Sequence, residues 1–171
     1  MEQQEEQEAL AILERINLRK KPVSIDKYLK AGSVSFLHAT TRDEALRSLV
    51  DLLDAQGALQ DKEEYFQAIL EREKIVSTGV GMGVAIPHAK LEKYDDFFIA
   101  IGIQQGKGIE WNSLDGAPVR LIIMIGGPAR QQTEYLYILS KITMAIKDEE
   151  RRKKLLKAKN AQEVVALFQG T

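Results

Sequence analysis

The sequence contains no cysteine and only two histidines, and this narrows the chemistry available to it. Without cysteine there is no disulfide, no thiolate metal site and no cysteine nucleophile. No apolar run reaches the ~18 residues that a transmembrane helix needs. The chain starts with the acidic segment Met-Glu-Gln-Gln-Glu-Glu-Gln-Glu rather than with the basic start of a signal peptide. We therefore expect a cytoplasmic protein without membrane insertion.

The overall composition is that of an ordinary globular protein. Hydrophobic residues make up 44% of the 171 positions and charged residues 29%. The formal net charge of −1 gives no electrostatic reason to expect nucleic acid or an anionic membrane as a partner. This length is enough for one domain with a sizeable core.

The N-terminal segment is predicted to form a helix over residues 2 to about 17, followed by a linker at residues 19–22. Pro22 disfavours helix at the residue before it. We accordingly divide the chain into a helical extension, residues 1–21, and a main domain, residues 22–171. Two interpretations of the extension fit the sequence. It is a surface helix with frayed ends, or an arm that binds a partner, with a second copy in a homodimer as one candidate.

Helices alternate with buried strands along the main domain, a pattern typical of an α/β layered fold. The runs at 97–103 and 119–125 are almost continuously apolar, as expected of central strands that are covered on both faces. Shorter strands are predicted at 34–37 and 84–86. The predicted helices are one between Thr41 and Gly57, one from Asp61 that carries Arg72 near its end, and three more at 133–146, 148–157 and 161–168.

Three glycines, Gly79, Gly81 and Gly83, precede the dipeptide Pro87-His88. They do not match a dinucleotide-binding fingerprint, because that motif needs a strand before the glycines and a helix after them. Here the order is reversed. A glycine-rich turn can offer backbone N–H groups that cradle an anion. The alternative is a flexible connector.

His88 is the candidate nucleophile. A neutral imidazole has one nitrogen lone pair that can attack phosphorus. Arg72 is sixteen residues earlier and can pair bidentately with phosphate oxygens, and the hydroxyls of Ser77 and Thr78 can donate to the same group. The alternative is a structural histidine. His38 has no such surroundings and is predicted to end a strand, and no histidine or cysteine spacing predicts a metal site.

These residues carry a resemblance to a known family. The stretch from Arg72-Glu73 through Ser77-Thr78-Gly79 to Ala85-Ile86-Pro87-His88 resembles the signature of fructose/mannitol-type enzyme IIA domains. These domains belong to the bacterial phosphoenolpyruvate-dependent phosphotransferase system, and the nitrogen-regulatory enzyme IIA proteins are members of the same family. The resemblance covers roughly residues 22–168 and continues at Ile109, Trp111, Ser113, Asp115, Pro118, Val119 and Pro128.

The resemblance implies a mixed central sheet sandwiched between helices. It also implies that a histidine-containing phosphocarrier protein phosphorylates His88, usually at Nε2, while Arg72 stabilises the phosphoryl group and Thr78 helps to arrange the site. Sugar-specific members pass the group to an enzyme IIB chain. Nitrogen-type members act mainly by binding other proteins according to their phosphorylation state. Neither role implies a cofactor.

One position departs from the family pattern. Members commonly carry a second active-site histidine at the start of the helix after the last strand, where this chain has Tyr135. A tyrosine hydroxyl can donate to phosphate, but with a pKa near ~10 it does not become cationic near neutral pH as imidazole does. Tyr135 either contributes to phosphate binding or simply packs at the helix start.

The leading expectation is a phosphohistidine carrier that acts mainly as a phosphorylation-dependent regulator. Two alternatives remain open from the sequence. One is a sugar-specific enzyme IIA that passes phosphate to a separate IIB chain, and the other is an interaction module that no longer accepts phosphate.

Overall fold

The computed structural model of the chain describes residues 2–17 and 25–169, so the linker predicted at 19–22 lies outside the described residues. Within these ranges, six α-helices surround a six-stranded sheet. The helices are α1 Glu2–Asn17, α2 Arg42–Ala55, α3 Lys62–Ile75, α4 Gln132–Lys147, α5 Glu149–Lys157 and α6 Ala161–Leu167. The strands are β1 Val34–Leu37, β2 Gly79–Gly81, β3 Val84–Ala85, β4 His88–Leu91, β5 Phe98–Gln104 and β6 Leu121–Pro128. Two short 3-10 turns, Ile25–Tyr28 and Ala31–Ser33, precede β1.

The sheet is mixed, which confirms the predicted α/β fold. Strand β1 pairs parallel with β5, and β5 pairs antiparallel with β6. On its other side β6 pairs parallel with both β3 and β4, and β2 closes that edge by pairing antiparallel with β3. The edge where β2 ends and β4 begins is where the candidate site lies.

Strand β6 shows why its sequence is continuously apolar. Leu121, Ile123 and Ile125 face a core cluster shared with α4, α5 and α6. Ile122 and Met124 face the opposite cluster, shared with α2 and α3. Successive side chains of a strand point to opposite faces, so a strand covered on both sides needs apolar residues at every position.

Four helices begin directly after a polar residue whose side chain caps the helix N-terminus. Four polar residues each accept a hydrogen bond from the backbone N–H three residues later, which satisfies a donor that has no partner within the helix. These caps are Thr41 for α2, Asp61 for α3, Asp148 for α5 and Asn160 for α6.

The glycine-rich segment differs from the predicted loop, because Gly79–Gly81 forms a strand and turns back into β3. The tip of this hairpin lies in the left-handed backbone region, with φ of 99° at Gly81, 60° at Met82 and 75° at Gly83. Glycine adopts such angles without steric cost. The carboxylate of Asp115 holds the tip by accepting from the Met82 N–H at 3.0 Å.

Strand β4 was not predicted, because Pro87 separates it from β3. Pro87 has no N–H to donate, yet its carbonyl accepts from the backbone N–H of Ile125 at 2.9 Å. Pairing with β6 therefore resumes in the same register beyond the proline, with His88 opposite Ile125. This arrangement anchors the backbone of His88 in the sheet.

Candidate functional site

His88 begins β4, and its ring is held by a backbone carbonyl. The imidazole Nδ1 lies 3.0 Å from the carbonyl oxygen of Ile86. A carbonyl only accepts, so Nδ1 carries the proton and Nε2 keeps its lone pair. The structure thus gives His88 a defined tautomer, in which Nε2 is the ring nitrogen with an available lone pair.

Arg72 lies in the last turn of α3 and points at the same nitrogen. Its Nε–H donates to His88 Nε2 at 3.2 Å, and its Nη1 donates to the carbonyl of Val76 at 2.8 Å. The carbonyl fixes the guanidinium while leaving its charge beside the nucleophile. The fold therefore brings Arg72 and His88 together, while stabilisation of a phosphoryl group by Arg72 stays a prediction.

His88 and Arg72 line a cavity of about 280 Å³ together with Ser77 and Thr78. Both hydroxyls already have partners in the scaffold. Ser77 donates to the carbonyl of Trp111 at 2.6 Å and accepts from the Gly79 N–H at 3.1 Å. Thr78 donates to the carboxylate of Glu73. Phosphate binding by these hydroxyls stays a prediction, and each must exchange its present acceptor to make that contact.

The three glycines shape the hairpin beside the cavity. Gly79 lies against Ser113, where a Cβ would come within 2.3 Å of the serine oxygen. Gly81 and Gly83 form the hairpin tip described above, and Val80 is the hairpin residue that lines the cavity. The glycines serve the turn that brings this hairpin beside His88, while anion binding by their N–H groups stays a prediction.

Sequence reasoning missed a buried carboxylate beneath the site. Glu73 is almost fully buried and accepts from both the backbone N–H and the hydroxyl of Thr78. It also accepts from the indole N–H of Trp111 at 3.3 Å. The position of Glu73 directly after Arg72 is the one signal that the sequence offers. The indole of Trp111 is itself buried, so this residue packs in the core beneath the site.

We expect Glu73→Gln to lower the free energy of unfolding by about 2 kcal/mol, because hydrogen bonds to a charged acceptor are replaced by weaker or mismatched ones. Urea denaturation measures this loss. Glu71→Gln is the matched control, since Glu71 is exposed on the same helix and its ion pair with Lys74 is worth about 0.5 kcal/mol at most. Equal losses in the two variants would contradict the role assigned to Glu73.

Tyr135 lies in the first turns of α4 with its ring beside His88. The two ring centroids are 5.7 Å apart, and the ring of Phe97 stacks on Tyr135 at 6.4 Å. The ammonium of Lys90 lies 4.2 Å from the centroid of the Tyr135 ring. Tyr135 is completely buried, so the ring packs in the core and also forms the wall behind His88.

We expect Tyr135→Ala to cost about 3–5 kcal/mol of stability, since it empties a ring-sized space in the core. Tyr135→Phe keeps the ring and should cost only about 1 kcal/mol for the interactions of the hydroxyl. Chemical denaturation of both variants gives the comparison. A loss for Tyr135→Ala no larger than that for Tyr135→Phe would show that the ring does not support the core.

A second missed residue, Glu6, reaches the site from α1. Its Oε1 lies 3.4 Å from His88 Nε2, and its Oε2 lies 4.0 Å from Arg72 Nη2. Burial alone would raise the pKa of Glu6, but its contact with His88 and the positive charges of Arg72 and Lys90 outweigh the burial and lower the pKa. Nothing in the polar N-terminal sequence distinguishes Glu6 from its neighbours.

The acidic and histidine side chains form no metal-binding cluster within residues 2–17 and 25–169. In the same part of the chain, none of the helices combines the length and the apolar character needed to cross a bilayer.

Comparisons with known proteins place this fold and site in one family. The family described as "Phosphoenolpyruvate-dependent sugar phosphotransferase system, EIIA 2" matches residues 27–170. The fructose-specific EIIA component of Haloferax volcanii is 36% identical over 124 residues, which cover 72% of this chain and 80% of that protein. The fructose-specific EIIABC component of Bacillus subtilis is 35% identical over 132 residues, which cover 77% of this chain but only 21% of that longer protein.

A solved structure extends the similarity to the nitrogen-regulatory branch. The nitrogen regulatory protein IIA-Ntr of Neisseria meningitidis superposes with a TM-score of 0.79 and 26% identity, over 85% of this chain and 99% of that one. The fold and the family match place the chain among the EIIA proteins of the phosphotransferase system. The chain belongs to the type 2 EIIA family, which contains both sugar-specific and nitrogen-regulatory members. The helix α1 lies before the matched residues.

Proposed function

We propose that this chain is a phosphohistidine carrier that accepts a phosphoryl group on Nε2 of His88 from a histidine-containing phosphocarrier protein. The observation that supports this most is the contact of His88 Nδ1 with the Ile86 carbonyl at 3.0 Å. It assigns the proton to Nδ1 and turns the lone pair of Nε2 towards Arg72 and the cavity.

The transfer needs little from the protein beyond position and charge. Phosphoryl transfer passes through a loose, in-line transition state with charge on its equatorial oxygens. The bond from phosphorus to the donor imidazole breaks as the bond to His88 Nε2 forms, and the electron pair returns to the donor. Nδ1 keeps its proton and its hydrogen bond to the carbonyl of Ile86. Arg72 moves its donors from Nε2 to the phosphoryl oxygens and offsets their charge.

The regulatory role is the function we favour for the phosphorylated state. The phosphoryl oxygens bring about −1.5 to −2 charges to the mouth of the site, taking hydroxyl phosphates as a guide, while the ring that keeps its Nδ1 proton offsets part of them. Tyr135 supports regulation over rapid onward transfer, because a buried tyrosine occupies the place of the second histidine and cannot supply a second cation. A charge change of this size alters which partner surfaces the site tolerates.

A sugar-specific role remains the second candidate. The fructose-specific relatives support it, at 35–36% identity over 124–132 residues, and the family match at 27–170 spans Arg72 and His88. In that role the chain passes its phosphoryl group to a separate IIB chain. Incubating the phosphorylated protein with a fructose-type IIB domain separates the two roles, because rapid loss of the phosphoryl group to IIB supports transport and retention supports regulation.

The proposal is tested by incubating the purified chain with phosphoenolpyruvate, enzyme I and a histidine phosphocarrier protein. We expect intact-mass spectrometry to show a gain of one phosphoryl group that is lost in acid, as phosphohistidine is. No gain at any donor concentration, either in the wild type or in the Glu6→Gln variant, would instead support a module that no longer accepts phosphate.

A further inference from the structure

The helix α1 covers the candidate phosphorylation site. Gln3, Glu6, Gln7 and Leu10 line the cavity from one side, and His88 lines it from the other. The side chain of His88 is only 8% exposed and that of Arg72 12%. A protein donor must bring its own phosphohistidine in line with Nε2, and α1 occupies that approach.

Glu6 is the residue of α1 that enters the site. Its side chain is 10% exposed, whereas Glu5 and Glu8 on the same helix are exposed. One carboxylate oxygen faces His88 Nε2 and the other faces the Arg72 guanidinium. A phosphoryl group bonded to Nε2 would place its oxygens in the same space, against the same guanidinium. The carboxylate therefore takes the position that the phosphoryl group needs.

Other residues of α1 add apolar contact. Among residues 3–12, whose side chains the structure describes, Ala9 and Leu10 pack against the core cluster beside α4, and Ile12 is exposed. The Glu6 carboxylate adds an ion pair with the guanidinium of Arg72, whose positive charge draws it into the site.

We propose that α1 is an autoinhibitory helix, held on the site by the Glu6 carboxylate in place of the phosphoryl group, and that phosphorylation of His88 releases it. This inference rests on the proposed function and adds its regulation. Docking of α1 and phosphate on His88 exclude each other, because both need the same space and both carry negative charge. A bound phosphoryl group therefore repels the Glu6 carboxylate and replaces it as the partner of the Arg72 guanidinium.

The coupling runs in both directions. A free-energy coupling between two events is reciprocal, so the factor by which docked α1 disfavours phosphorylation equals the factor by which phosphate disfavours docking. Any partner that captures α1 would then favour phosphorylation of His88. Phosphorylation would in turn present α1 and the apolar floor under it, including Leu139, to such a partner.

The covering of His88 is tested without any phosphoryl donor by diethyl pyrocarbonate, which acylates accessible neutral imidazole. His38 is exposed and serves as the reference within the same chain. We expect Glu6→Gln to raise the rate at His88 about tenfold and to leave His38 unchanged, since removing the anchor shifts the population to the open state. Glu8→Gln, the same change at an exposed position of α1, should behave as the wild type.

The direction of this result is diagnostic. An unchanged or slower rate at His88 in Glu6→Gln would overturn the proposal. Protection of His88 that disappears on dilution would also overturn it, because the covering helix would then come from a second copy.

Release is tested by hydrogen exchange of the α1 amides before and after phosphorylation. We expect these amides to lose protection on phosphorylation while those of β6 keep it, and Glu6→Gln to accept phosphate about tenfold faster than the wild type. A phosphorylated chain with fully protected α1 would refute release. If no variant accepts phosphate, the proposed function is wrong, and release of α1 by phosphorylation is wrong with it. The acylation rates then still decide whether α1 covers His88.

Discussion

Replacing His88 by alanine is expected to abolish phosphorylation of the chain completely. The proposed function makes Nε2 of His88 the nucleophile, His88 lines the cavity, and the acid-labile product requires an imidazole nitrogen. Intact-mass spectrometry after incubation with phosphoenolpyruvate, enzyme I and phosphocarrier should show one added phosphoryl group for the wild type and none for the variant. We expect no phosphorylated form of His88→Ala to be detectable in this assay.

The matched control for this result is His38→Ala. It removes the other histidine, which is exposed just after β1 and away from the cavity residues. We expect this variant to be phosphorylated at the rate of the wild type. Phosphorylation that survives in His88→Ala and disappears in His38→Ala would show that the acceptor has been assigned to the wrong residue.

Replacing Arg72 by glutamine is expected to slow phosphorylation by about 10²–10³-fold. Removing one preorganised donor from a site of developing negative charge costs about that factor, and Arg72 also supplies a full charge. Its Nε lies 3.2 Å from His88 Nε2, so the guanidinium is already in position before a phosphoryl group arrives. Rates are best measured in the Glu6→Gln background, where docking of α1 no longer depends on the contact between Glu6 and Arg72.

Two further variants separate charge from geometry at this position. Arg72→Lys keeps the charge but loses the planar, two-pronged donor, and we expect an intermediate rate. Lys74→Gln removes an exposed cation two residues along the same helix and should leave the rate unchanged. A fall in Lys74→Gln as large as that in Arg72→Gln would mean that the general positive potential, and not the guanidinium, drives the transfer.

Much of the fold was predictable because its local signals agree with its packing. The apolar runs at 97–103 and 119–125 correspond to β5 and β6, each shifted towards the C-terminus by one to three residues. The helices at 133–146, 148–157 and 161–168 lie within one residue of α4, α5 and α6 at each end. The strand β2 was missed because glycines disfavour strands on average, and only pairing with β3 makes Gly79–Gly81 extended.

The site was predictable where its residues share one stretch of sequence. Arg72, Ser77, Thr78 and His88 all line one cavity, as their spacing around the glycine-rich turn suggested. Glu6 lies more than sixty positions before Arg72, in a segment of repeated glutamate and glutamine where no local pattern singles out one side chain. Its position follows from the docking of α1 on α4, and docking of this kind depends on contacts between distant segments.

The central claim, that His88 Nε2 is the phosphoacceptor, is tested most directly by NMR of the ¹⁵N-labelled imidazole after phosphorylation. The account predicts that the phosphoryl group is bonded to Nε2 of His88, while Nδ1 keeps its proton and its hydrogen bond to Ile86. A phosphoryl group on Nδ1, or on any residue other than His88, would contradict it.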